Sequence, residues 1–97
     1  MELVELRQEM DKLHVELLSI LERRAELSKR IAIYKYKHHL PVFDKEREEK
    51  MLAKVVQSVE DKEFSPEIIS IMRQLFEISK EIQSSVIDKL KKSEGEF

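Results

Sequence analysis

The sequence lacks cysteine and tryptophan, has one glycine and two prolines, and takes only 6% of its residues from the aromatic types. Each scarcity excludes something. Without cysteine there is neither a disulfide framework nor a thiolate metal site, which suits a reducing compartment. The lone glycine, Gly95, leaves no glycine-rich loop to cradle a phosphate. No apolar run approaches the ~18 residues of a membrane span, and no signal-like stretch opens the chain. A soluble, cytoplasmic protein without membrane association is expected. The net charge of -2 offers no general attraction for nucleic acid, so any anion site must be a local gathering of cations.

What is present is helical. The 97 residues are 41% apolar and 39% charged, the size and make-up of one small all-α domain. From Leu3 to Lys35 no glycine or proline occurs. Leu3, Leu6, Met10, Leu13, Leu17, Ile20, Leu27, Ile31 and Tyr34 follow alternating steps of three and four, an a/d seam. This run predicts one helix of about 50 Å. The rest of so short a chain cannot cover it, so a second copy should, most simply as a homodimer.

Pro41 disfavours helix at the residue before it and ends the first helix between Lys37 and Leu40. Asp44 is a good N-cap for a second helix over about 45–59, with Glu46, Glu48 and Glu49 in its first turns. Ser65 and Pro66 read as the cap and first residue of a third helix that runs to about Leu90. Residues 91–97 read as a flexible tail or linker stub.

Each helix carries a polar residue inside its apolar stripe. In the first, Arg24 holds the seam position between Ile20 and Leu27; in the second, Glu48 lies one turn before Leu52, Val55 and Val59; in the third, Ser79 sits between Leu75 and Ile82. An isolated buried charge costs several kcal/mol, so Arg24 and Glu48 must be paired, solvated in a cavity or occupied by a ligand. A register-setting ion pair in a helical bundle would explain any one of them. Three converging stripes favour a site.

Helical geometry adds members. Lys35 falls within ~20° of Arg24 on one face, about 16 Å along the axis. Gln83 lies one turn beyond Ser79, and Asp44, Arg47 and Glu48 share a face at i, i+3, i+4. Cations, a carboxylate, an amide and a hydroxyl together suit a small anion that bears a hydroxyl group. The Ser/His/Asp order and a metal-ligand cluster are both missing, and His14, His38 and His39 read as solvated or packing residues.

The ordered set Leu6-Arg7, Leu17-Leu18, Arg24, Lys35, Pro41-Val42-x-Asp44-x-x-Arg47-Glu48 and Ser79-x-x-x-Gln83 resembles the all-helical chorismate mutases over about residues 3–90. It departs at His14, where that family commonly has an aspartate, away from the ligand groups. The resemblance implies a three-helix protomer with a long first helix, intertwined with a second copy, a mutase domain over 1–90, and conversion of chorismate to prephenate in aromatic amino-acid synthesis with no cofactor or metal. Carried over, Arg24 and an Arg7 from the partner chain would hold the two carboxylates. Lys35 and Gln83 would donate to the ether oxygen. Glu48 with the backbone N–H of Asp44 would bind the ring hydroxyl, Arg47 would brace that end, and Ser79 would bond a carboxylate. Related roles are an isochorismate pyruvate-lyase or a regulatory module fused to, or docked on, another aromatic-pathway enzyme.

Overall fold

With neither glycine nor proline before Pro41, nothing interrupts the first helix. In the computed structural model, which describes residues 2–95, α1 spans Leu3–Lys37, α2 spans Lys45–Ser58, a 3-10 turn covers Lys62–Phe64, and α3 spans Ser65–Gly95. The protomer is all-α. α3 lies along the C-terminal part of α1, and α2 folds back against α3. Where α1 and α3 meet, the buried positions of α1 are Ser28 and Ala32, 5% and 0% exposed. Side chains this small let the two helices approach closely. Ile68, Met72, Leu75, Phe76, Ile82 and Val86 of α3, and Leu52 and Val55 of α2, are half-buried around that line.

The other end of α1 has no cover. Leu3, Leu6, Met10, Leu13, Leu17 and Ile20 are all exposed, and the chain measures 63 × 28 × 14 Å with a radius of gyration of 17.5 Å. A compact chain of this length would have a radius near 12.5 Å. The protomer exposes 8263 Å², against about 5,800 Å² for a compact monomer of this mass.

Two expectations are corrected. Ser65 does not cap α3: it is the first helical residue, and its Oγ is buried without a partner among the described residues. The 3-10 turn carries the chain into helical geometry earlier, and Asp61 caps that turn by accepting from the Glu63 N–H at 3.1 Å. α3 continues past the expected end near Leu90, to Gly95. No proline or glycine interrupts Lys91–Glu94, and the Glu94 carboxylate raises the Tyr36 phenol above its ordinary pKa. Glu96 and Phe97 lie outside the described residues.

The turn after α1 carries a strain that can be relieved. Leu40 N–H donates to Lys35 O at 2.9 Å and His39 N–H to Tyr36 O at 3.4 Å, the paired bonds of a Schellman cap, in which the residue at the position of His39 is usually glycine. His39 has φ 56°, a conformation costly for a residue with a Cβ. Replacing His39 with Gly should stabilise the fold by roughly 0.5–1 kcal/mol, the relieved strain outweighing the greater freedom of the unfolded chain. A urea-unfolding midpoint that stays put or falls would contradict this.

Candidate active site

A cavity of about 370 Å³ opens where α1, the start of α2 and α3 meet, within the size range of small-molecule sites. Arg24, Ser28 and Lys35 reach it from α1, Asp44, Arg47 and Glu48 from the turn into α2, and Ser79, Lys80 and Gln83 from α3. Leu27, Ile31, Met51, Met72 and Phe76 supply its apolar wall. Four cations face two carboxylates there, so the cavity is locally positive on a chain whose net charge is -2. Two shallower depressions, of about 700 and 680 Å³, are open to solvent and lined mainly by exposed charged and small side chains.

A hydrogen-bonded chain crosses the cavity from α1 to α3 and back. Lys35 Nζ donates to Gln83 Oε1 at 2.9 Å and to the Val42 carbonyl at 2.8 Å; Gln83 Nε2 donates to Ser79 Oγ at 3.1 Å; Ser79 Oγ and Ser28 Oγ are 2.7 Å apart. An ammonium can only donate, so the Gln83 amide must turn its oxygen to Lys35 and its NH₂ to Ser79. Gln83 is 5% exposed, which holds that orientation. After these bonds Lys35 keeps one N–H and Gln83 keeps one, and both remain available to an acceptor in the cavity.

Burial holds the Lys35 ammonium below the ordinary lysine pKa; Asp44 and Glu48 pull it back up, and Arg47 pushes it further down. At the other end Asp44 caps α2 by accepting from the Arg47 N–H at 3.1 Å, and the helix start that follows presents Arg47 and Glu48 to the cavity. Glu48 is paired to Lys80 of α3, with Nζ 3.2 Å from Oε2. The Lys80 ammonium is raised above its ordinary value, chiefly by its hydrogen bond to Glu77 and, against some desolvation, by Glu48.

Of the residues expected at the site, Arg24, Lys35, Asp44, Arg47, Glu48, Ser79 and Gln83 all line this one cavity. Arg7 does not. It is exposed on the uncovered part of α1, about 26 Å along the helix from Arg24 and about 42 Å from Lys35. Besides Ser28, whose hydroxyl meets that of Ser79, Lys80 is the polar site residue the sequence reading missed. Three residues after Glu77 it looks like half of an ordinary surface pair, and only its place next to Ser79 hinted otherwise. Of the histidines, His38 stacks on Tyr34 with ring centres 4.1 Å apart, and His14 is exposed.

The family model for chorismate mutase type II matches residues 6–84. Among curated proteins, the bifunctional chorismate mutase/prephenate dehydratase of Aquifex aeolicus (strain VF5) is 44% identical over 55 residues, which are 57% of this chain and 15% of that protein. The chain thus spans a small part of that relative's length. No solved structure matches it significantly.

Proposed function

The chain belongs to the chorismate mutase type II family, and on that premise we propose that it converts chorismate to prephenate in a cavity completed by a second copy. The rearrangement is unimolecular: one C–O bond breaks as one C–C bond forms, and no proton, nucleophile or electron need come from outside the substrate. The protein has two tasks, to hold the dianion in its compact reactive conformer and to stabilise the charge that grows on the departing ether oxygen.

The observation that carries this reading is the meeting of Lys35 and Gln83 at 2.9 Å, each with one N–H left for a shared acceptor. Two donors held side by side on the cavity wall suit an oxygen that gains negative charge in the transition state. Arg24 and Arg7 of the partner subunit would clamp the carboxylates by charge-assisted hydrogen bonds, with Ser79 adding a further bond. Glu48 and the Asp44 N–H would receive the ring hydroxyl, braced by Arg47. The exposed seam of α1 supports an intertwined homodimer, because a helix this apolar needs a second surface to bury it. The mutase domain is read as residues 1–90. The bifunctional name of the Aquifex relative supports a possible association with another aromatic-pathway enzyme.

The test is an incubation with chorismate, following its loss and the appearance of prephenate. Saturable turnover supports the reading; pyruvate release from isochorismate without prephenate formation would make the protein a lyase, and a folded chain that turns over neither would leave a regulatory or interaction role.

The pH profile gives a second check. Lys35 donates only while protonated, and in the empty site burial favours its neutral form. The alkaline fall in kcat/KM, which reports the free enzyme, should therefore begin at lower pH than an ordinary lysine would give. A bound dianion favours the ammonium, so the alkaline limb of kcat should lie at higher pH. Coincident limbs would count against Lys35 at the reacting oxygen.

A further inference from the structure

Lys80 has no part in the scheme above, yet its ammonium meets two carboxylates and an aromatic face beside the cavity. Its Nζ lies 3.2 Å from Glu48 Oε2 and 3.5 Å from Oε1, 2.6 Å from Glu77 Oε1, and 4.5 Å from the centre of the Phe43 ring. The Glu48 pair is also of a different kind from its neighbours. Arg30–Glu26, Lys45–Glu49 and Lys50–Glu46 join residues of one helix with both side chains more than half exposed, the sort of pair that contributes little. Lys80 and Glu48 join α3 to α2 with side chains 21% and 25% exposed. An ion pair screened this far from solvent, and held by a carboxylate on one side and an aromatic face on another, restricts both partners to one geometry.

Resting on the mutase reading, we propose that Lys80 is a positioning residue: from α3 it fixes the Glu48 carboxylate of α2 in the orientation that receives the substrate's ring hydroxyl. It is not a substrate ligand itself, because its ammonium is already committed to two carboxylates and the Phe43 face. Glu48 is surrounded by Arg24 and Lys35 from α1, Asp44 and Arg47 at the start of its own helix, and Lys80 with Glu77 from α3. Among the described residues, Lys80 is the cation within ion-pair distance of it. Without Lys80 the carboxylate keeps Asp44 for a neighbour and loses its nearest positive charge. It is then free to turn away from the position in which it receives the ring hydroxyl.

The experiment compares Lys80→Met, which keeps the apolar stem but not the charge, with Lys80→Arg, alone and combined with Glu48→Gln. The Met variant should lose roughly tenfold in kcat/KM, more through KM than kcat, because the ring hydroxyl is held in ground and transition states alike. Arg, which keeps the charge, should restore most of that loss. In the Glu48→Gln background, assayed at raised protein concentration, Lys80→Met should change little further, since the interaction is already gone. A folded Lys80→Met protein with wild-type KM, or effects of the two substitutions that simply add, would overturn the proposal. If the Met variant loses its helical circular dichroism, Lys80→Gln is judged by the same criteria. Absence of chorismate turnover by the wild type would remove the mutase reading and this role together; turnover that Lys80 substitutions leave unaltered would remove this role alone.

Discussion

Arg7→Ala and Lys35→Ala proteins, each reduced at least about a hundredfold as homodimers, should recover roughly a quarter of wild-type activity when unfolded together and refolded as an equal mixture. The figure follows from the length of α1. The helix is continuous from Leu3 to Lys37, which separates Arg7 from Lys35 by about 42 Å and from Arg24 by about 26 Å. No small dianion spans either distance, so an Arg7 that touches substrate must do so in the partner's cavity. In a mixed dimer, the site built on the Arg7→Ala chain keeps its own Lys35 and borrows an intact Arg7, while the other site lacks both. Random pairing makes half the dimers mixed, and half the sites in those are whole. Recovery near zero, with mixed dimers verified by mass, would show that Arg7 serves its own chain or only the fold, and the shared site would be wrong.

A Gln83→Glu enzyme should turn a flat profile into one that climbs toward acid pH. In the proposed site Gln83 would donate to the reacting oxygen at any pH, so it would impose no acid optimum. A glutamate there can donate only while protonated, and kcat/KM should rise roughly tenfold for each unit the pH falls, until the group's pKa is reached. The neighbours of Gln83 set where that happens. In the empty site the Lys35 ammonium, 2.9 Å from Gln83 Oε1, favours the carboxylate; burial and a bound dianion favour the acid. The limb in kcat should therefore lie at higher pH than the limb in kcat/KM. A profile that is flat between neutral and mildly acid pH would place Gln83 away from the breaking bond.

The parts of this architecture legible in the chain were those written as interruptions. The length of α1 follows from the lack of glycine and proline before Pro41, and the cavity from Arg24, Glu48 and Ser79 standing where their stripes called for apolar side chains. Lys35 and Gln83 were legible because helical geometry fixes which residues share a face. Arg7 breaks no pattern, since an exposed arginine on an exposed helix is ordinary; only the family resemblance singled it out. Lys80 escaped because a lysine three residues after a glutamate is normally a solvated pair, and its second partner, Glu48, lies on another helix. The cap at Ser65 was misplaced because a 3-10 turn is too short to leave a periodic trace, and α3 outran its expected end because Lys91–Glu94 is polar but not helix-breaking.

A site shared across the uncovered seam of α1 would also tie the protein's chemistry to its own abundance. In the proposed dimer the folded, complete site is the product of an encounter between two chains, so every tenfold dilution removes about 1.4 kcal/mol of the free energy that favours assembly. An enzyme whose ligands all belong to one chain keeps its activity per molecule as it becomes scarce. Arg7 and Lys35 lie at opposite ends of a 35-residue helix, so under the proposed shared site a chain without a partner would be both poorly buried and catalytically incomplete. Scarcity would therefore silence the proposed activity more steeply than in proportion to the number of chains.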